Sequence, residues 1–387
     1  MNNNARFKMR LAVVGAPAHW IGSDGTYWAY EPYVREMRVW ADLFSHVQVC
    51  GHAGEGEIRG NLAPYNRSNI EVVPVAYSRE YGFTGMLQRM FQFPGLVMNI
   101  RRAIHDHDFV LMRSPSHFGL VGAALVRLMN RSSITKWAGE NGAFTGERIP
   151  SRVNRWLESI RGETHFTLVY GPPRYSHQIS FLPALMNEEE LSEARQLSSR
   201  RSWRTPMKIL CVGRLEAAKG FDLALRGLGE LKRLRPDLMW HFTLVGDGTQ
   251  NDSLRRLAAE CDLTDRMTFT GALPFNEVQK RYAESHIAIM PGTKEGWPKI
   301  IAEAWAHGTI PVAASAGLVP SILQDKSSGV VFKPTPSDLV HELAHLLDDP
   351  KKMKDMSQGL YRHAQELSLD QFKIRLERIL VDRFGFQ

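Results

Sequence analysis

Short apolar runs alternate with stretches of helical period along most of the chain. A strand, Arg10 to Val14, enters the loop GAPAHWIGSDGTYW, and a helix-period stretch, EPYVREMRVWADLF, leads to a second strand, HVQVC. The segment from Gly51 to Tyr81 is rich in Gly, Asn and Pro and predicts one strand, Glu71 to Ala76. Met86, Leu87, Met90, Phe91, Leu96, Val97 and Ile100 then fall at helical spacing, with Pro94 expected to kink or divide the helix. A strand (Asp108 to Met112), a helix (Gly119 to Met129) and a strand (Ser133 to Ala138) follow. The polar stretch from Met186 to Thr205 reads as a connection between domains holding at most a short helix.

The C-terminal half repeats the alternation more regularly. Its strands are KILCVGRL, HFTLVGDG, MTFTGAL, IAIMPG, IPVAAS and GVVF. They are separated by FDLALRGLGELKRL, DSLRRLAAECD, FNEVQKRYAES, PKIIAEAWAH and SDLVHELAHLL, and the chain ends in an amphipathic helix, LDQFKIRLERILVDRF. Apolar strands separated by helices of this length predict doubly wound α/β sheets, covered on both faces. A length of 387 residues suits two such domains.

Composition narrows the class. The hydrophobic share of 43% and charged share of 23% are those of a folded soluble protein. No run approaches the roughly 20 apolar residues of a membrane span. The start passes directly into a β-like run without a signal core, so a cytoplasmic location is expected. Cys50, Cys211 and Cys261 make neither a CxxC pair nor a disulfide framework. The net charge of +7 is uneven. Arg89, Arg101, Arg102, Arg113, Arg127, Arg131, Lys136, Arg148, Arg152, Arg155 and Arg161 crowd one region. That region reads as a solvated basic surface or as a dock for anionic phospholipid or a lipid-pyrophosphate acceptor. No nucleic-acid-binding pattern accompanies the charge. The apolar positions from Met86 to Ile100 are expected to pack into the domain core, with a membrane surface as the alternative.

Three stretches carry chemistry. In KEGWPKIIAEAWAHGTIPVAAS, Pro298 is expected as the first residue of a helix whose unpaired N–H groups favour an anionic or hydroxyl-rich ligand. Glu295 before that helix and Glu303 within it offer two carboxylates for vicinal hydroxyls, although either residue type alone is ordinary at such a place. In VGRLEAAKGFDLAL, Arg214 and Lys219 follow a strand and precede a helix, where two cations can neutralise a pyrophosphate leaving group. In VGDG, Gly246 opens a turn that lets backbone approach a ligand. The HDHD run, His105 to Asp108, contains a DxD spacing but reads as a strand cap rather than a metal site.

Together VGRLEAAKG, VGDG, FTGALP and EGWPKIIAE resemble the nucleotide-sugar domain of GT-B glycosyltransferases of family 4, over residues 207–345. Glu295 and Glu303 match that family's paired glutamates. The resemblance implies two Rossmann-like domains: residues 1–186 with the last helix, 370–387, packed back on them, and residues 207–369, which hold the donor. It implies that Arg214 and Lys219 bind the diphosphate and that Glu303 holds the ribose. Glu295, with N–H groups around Gly296, Trp297, Pro298, Lys299 and Ile300, would hold the transferred sugar, Pro298 itself lacking a donor. Gly271, Ala272 and Leu273 would lie by the base, and Asp24 and Gly25 by the donor phosphate and acceptor. Many members place a histidine at the end of the strand that here reads ITKWAGENG. This sequence has none there, leaving Glu140 or Asn141 in its place and His117 as another candidate. The implied reaction is metal-independent, retaining transfer from a UDP-sugar or a GDP-sugar to a polysaccharide or lipid-linked glycan. UDP-glucose is the preferred donor, although no side chain above distinguishes it from related sugars. A nucleotide-sugar epimerase of the same fold and a non-catalytic donor-binding subunit are the alternatives. An NAD-dependent dehydrogenase is excluded because no GxGxxG follows either first strand.

Overall fold

The structure, a computed structural model, describes residues 5–54, 62–78, 82–138, 149–160, 162, 164–293 and 297–387. The chain divides into two compact units, residues 1–184 with 372–387, and residues 185–371.

Seven of the described strands of the first unit form a parallel sheet. Its order is Gln178–Ser180, His165–Val169, Ser133–Trp137, Phe109–Ser114, Phe7–Val14, Phe44–Gly51 and Ile70–Pro74. In the central strand Leu11 pairs with Val47 on one side and Phe109 on the other. Leu11, Ala12, Val13 and Val14 are all buried, because helices cover both faces of the sheet. The helix Leu369–Phe384 ends on this unit, where the Phe384 and Phe386 rings stand edge-on to Phe109 at 4.8 and 5.1 Å.

Several local readings change. The loop after the first strand contains a hairpin, His19–Ile21 and Tyr27–Tyr30, within a four-stranded sheet. Pro94 does not divide its helix: Phe83–His105 is continuous, and Pro94 lies on its exposed side. The apolar positions of that helix split between core and surface. Leu96 and Ile100 are buried, whereas Met86, Leu87, Met90 and Phe91 are exposed. The helix Ile149–Ser159 has no counterpart in the sequence reading.

The second unit carries a parallel sheet in the order Met267–Gly271, Trp240–Val245, Met207–Val212, Ile287–Met290, Ile310–Ala314 and Val330–Phe332. In chain order this is 3-2-1-4-5-6, so the direction of winding reverses between Met207–Val212 and Ile287–Met290. Loops leaving the carboxyl ends of those two strands flank the crevice where such sheets bind ligands. The polar stretch expected to connect domains belongs to this unit. It forms the helix Glu188–Ser199, started by a capping box between Asn187 and Glu190.

Candidate functional site

Two segments meet at the reversal point: the loop Gly213–Gly220, and the connection that follows Ile287–Met290, of which residues 291–293, 297 and 298 are described. They touch: a Cβ on Gly220, whose φ is +68°, would stand 2.7 Å from the Pro291 carbonyl oxygen. Lys219 closes a short turn, Ala217–Lys219, its N–H donating to the Glu216 carbonyl at 2.9 Å. Arg214 is exposed and pairs with Glu216 at 2.8 Å. A surface pair of this kind is worth at most about 1 kcal/mol, so an anion can displace Glu216.

Gly246 acts within the protein. A Cβ there would fall 1.8 Å from the Gly213 carbonyl oxygen, so its backbone approaches the neighbouring loop. Hydrogen bonds from Gly213 N–H to Val245 and from Gly246 N–H to Gly271 fasten three successive strand ends. Gly271 has φ +71° and faces open space, and Ala272 is exposed. Leu273 is half-buried against the core cluster of Leu210, Val245, Tyr282, Ala288 and Ala304.

The second loop leads into the helix Lys299–Ala306. Pro298 is its N-cap rather than its first residue and has no side-chain cap bond, so the Ile301 N–H returns to the Pro298 carbonyl at 3.0 Å. Trp297, Lys299 and Ile300 are half-buried around this start. Glu303 lies one turn further. Burial pushes its carboxyl above the usual range, while the Tyr282 hydroxyl and Lys299 pull the other way. Burial and the facing Glu303 carboxylate hold the Tyr282 hydroxyl well above its ordinary value. Glu295 and Gly296 lie outside the described residues, as does Glu140.

Three residues of this site were not singled out from the sequence. Tyr282 is fully buried and stacks on the His307 ring at 5.7 Å. The His307 Nδ1 bonds the Glu303 carbonyl at 2.8 Å. Arg201, only 9% exposed, donates from its guanidinium to the carbonyls of Ala283 (2.9 Å), Gly308 (2.8 Å), Tyr282 (3.4 Å) and His307. Those carbonyls close the helices Phe275–Glu284 and Lys299–Ala306, so one cation caps both negative helix ends. Its signal was hidden, because Arg201 stands in a polar run that looks solvated.

In the first unit, Asp24 and Gly25 form the tip of the hairpin. The Asp24 carboxylate accepts from the Thr26 N–H (2.9 Å) and hydroxyl (2.8 Å), which hold it below its usual range, and Gly25 has φ +79°. His117 is exposed at the start of the helix His117–Leu128, its ring 5.8 Å from that of Tyr77. Burial and Arg89 lower its pKa. In the HDHD run, Asp108 accepts from the Arg10 N–H at 2.8 Å and Asp106 bonds His105 at 2.9 Å. Both carboxylates serve local structure.

A doubly wound unit with a basic loop, a helix start and a carboxylate at its reversal point has the form of a ligand-binding α/β domain, and comparison with known proteins gives its class. The profile described as glycosyl transferases group 1 matches residues 196–363. The GDP-mannose-dependent alpha-(1-6)-phosphatidylinositol monomannoside mannosyltransferase of Mycolicibacterium smegmatis is 30% identical over 287 residues, 69% of this chain and 75% of that protein. The chain belongs to the glycosyl transferases group 1 family. D-inositol 3-phosphate glycosyltransferase of Thermomonospora curvata is 28% identical over 170 residues, and this match spans 42% of the chain and only 39% of that relative. Sucrose-phosphate synthase from Thermosynechococcus elongatus shares the fold, with a TM-score of 0.71 over 98% of this chain and 100% of that one at 14% identity. The expected GT-B fold class is thereby borne out.

Proposed function

We propose that the chain transfers glucose from UDP-glucose to a hydroxyl of a polysaccharide or lipid-linked glycan, with retention of configuration and without a metal ion. One observation carries the reading: at the reversal point of one sheet the Lys219–Gly220 loop packs on Pro291 and Gly292, the residues that leave the strand Ile287–Met290 toward the helix bearing Glu303. Arg214 and Lys219 neutralise the diphosphate as it leaves, Arg214 giving up Glu216 to do so. Glu303 accepts the ribose hydroxyls, and Gly271 to Leu273 border the base. Glu295 and the N–H groups after it hold the transferred sugar. Glu140 and His117 are the candidates for the acceptor side, attack coming from the face the nucleotide leaves. The reaction is assigned to the cytoplasm, at the inner membrane face where the acceptor is lipid-linked.

A second reading, GDP-mannose as donor, is favoured by the GDP-mannose dependence named for the Mycolicibacterium relative. The test is nucleotide release from UDP-glucose and GDP-mannose in parallel, with thermal shift against UDP, GDP and ADP. Release of UDP supports the first reading and release of GDP the second. Conversion of the sugar without release would make the protein an epimerase. Stabilisation by a nucleotide without any turnover would make it a binding subunit, and neither release nor stabilisation would sink the transferase reading.

A further inference from the structure

Two helices of the first unit carry their apolar residues outward. In Ile149–Ser159 the buried positions are Asn154 and Glu158. Glu158 accepts from the Thr135 hydroxyl at 3.1 Å and the Thr167 hydroxyl at 3.0 Å, and the Asn154 amide reaches the Ser116 carbonyl at 3.4 Å. The polar face is thus consumed by the sheet and the adjacent loop. On the opposite face Ile149 (73% exposed), Val153, Trp156 (62%) and, just past the helix end, Ile160 follow one another at helical spacing into solvent. The first half of Phe83–His105 is similar. Between Phe83 and Gly95 Gly85 alone is buried, while Phe83, Met86, Met90, Phe91 (84%) and Phe93 are exposed. Both helices pack on His117–Leu128.

The exposed charges within these two helices are of one sign, with Asp106, just past the end of the first, standing 3.8 Å from Arg102. Phe83–His105 contains no Asp or Glu, and the sole carboxylate of Ile149–Ser159 is the buried Glu158. Arg101, Arg102 and Arg152 are exposed, and Arg89 and Arg155 are half-buried. No helix among the described residues is long and apolar enough to cross a membrane. A protein partner with an apolar epitope would satisfy the aromatic residues but would need its own excess of acid for the arginines. A bilayer containing anionic lipid supplies both at once: acyl chains at the depth of Phe and Trp, and phosphates at the depth of Arg.

We propose that the outward faces of Phe83–Gly95 and Ile149–Ile160 dock the protein on the headgroup layer of an anionic phospholipid bilayer, with Phe91 and Trp156 inserted and the arginines on phosphate. This surface goes beyond the donor reading and does not depend on it, because vesicle binding is measured without nucleotide or sugar.

The test is co-sedimentation of the full chain with vesicles of phosphatidylcholine alone and with about a third phosphatidylglycerol. Binding to the anionic vesicles, about tenfold weaker without phosphatidylglycerol or in molar salt, is expected. F91E/W156E is expected to weaken binding at least about tenfold, and R101E/R102E to remove the preference for anionic lipid. All four positions are exposed, so thermal melting checks that the variants stay folded, and quenching by bromine-labelled lipid that disappears in W156F provides an insertion readout independent of affinity. Equal binding to both vesicle types, or binding unchanged by F91E/W156E, would overturn the proposal. So would lipid-free dimerisation abolished by F91E/W156E, which would assign the face to a second copy of the chain.

Discussion

Arg201 gives the sharpest stability test, because a single side chain serves two helix ends. Its guanidinium is buried, and desolvation lowers its pKa to about 10, which still leaves it charged at neutral pH. At about 1.4 kcal/mol per unit, holding that charge inside the fold costs roughly 3 kcal/mol. Against this stand bonds to four carbonyls and to the Thr309 and Ser357 hydroxyls. Bonds from a charged donor are worth about 1.5–3 kcal/mol each, so the four carbonyl bonds alone outweigh the desolvation by about 3 kcal/mol or more.

Arg201→Met removes the charge and its cost together, and leaves the carbonyls that close Phe275–Glu284 and Lys299–Ala306 without a donor. The expected loss is about 3–5 kcal/mol, with Arg201→Lys intermediate because an ammonium cannot fork across four acceptors. Urea unfolding, followed by far-UV circular dichroism, measures it. The second consequence concerns the donor. If fraying of Lys299–Ala306 displaces Glu303, nucleotide affinity falls in the folded protein at low temperature and is partly restored by Arg201→Lys. A midpoint for Arg201→Met within about 1 kcal/mol of wild type would refute the hydrogen-bond accounting. Lost stability with unchanged nucleotide affinity would refute the link to the donor helix.

Glu303→Gln is expected to weaken nucleotide binding about tenfold while leaving the melting temperature equal or higher, since an amide relieves the carboxylate's desolvation. Calorimetric titration with UDP and GDP reads this directly. Gly220→Ala combines φ +68° with a Cβ 2.7 Å from the Pro291 oxygen, and is expected to cost about 1–3 kcal/mol in urea unfolding. The buried Glu36 carboxylate pairs with Lys136 and also accepts from Arg113 at 3.3 Å, and Glu36→Gln is expected to cost about 3 kcal/mol by the same assay. His19, His165, His286 and His307 are buried, and desolvation lowers each pKa from 6.5 to about 4. The unfolded chain therefore binds more protons within that window. Stability present above pH 6.5 is lost toward pH 4 at up to about 1.4 kcal/mol per pH unit per histidine, and a melting temperature flat across that range would contradict it.

The second unit was legible because its strands are apolar on both faces and its helices carry one apolar stripe. KILCVGRL covers the observed strand Met207–Val212 except for its first residue, and PKIIAEAWAH differs from Lys299–Ala306 only at its ends. The positions of Arg214, Lys219 and Glu303 followed from that regularity, since each is fixed by a strand end or a helix turn. The hairpin of the first unit was less visible: its strands are of three and four residues, and its turn is set by Asp24 bonding Thr26. Glu140 and Glu295 rest on sequence alone, because both lie outside the described residues.

The two segments read least well share a physical cause. In Glu188–Arg201 and in Ile149–Ser159 the interior contacts that fix the segment include polar ones: Arg201 on carbonyls, Glu158 on two threonine hydroxyls. Hydropathy assigns such residues to solvent, so the first segment looked like a connection and the second did not register. The inversion has a consequence for the surface. A helix anchored to its sheet by Asn154 and Glu158 does not need Ile149, Val153 and Trp156 for its own packing, and yet all three are large and apolar. Polar residues there would add solubility at no cost to the hydrogen bonds of the inner face. Large apolar residues where the fold does not use them are what the proposed docking surface rests on, and the arginines beside them match the phosphates of the proposed bilayer.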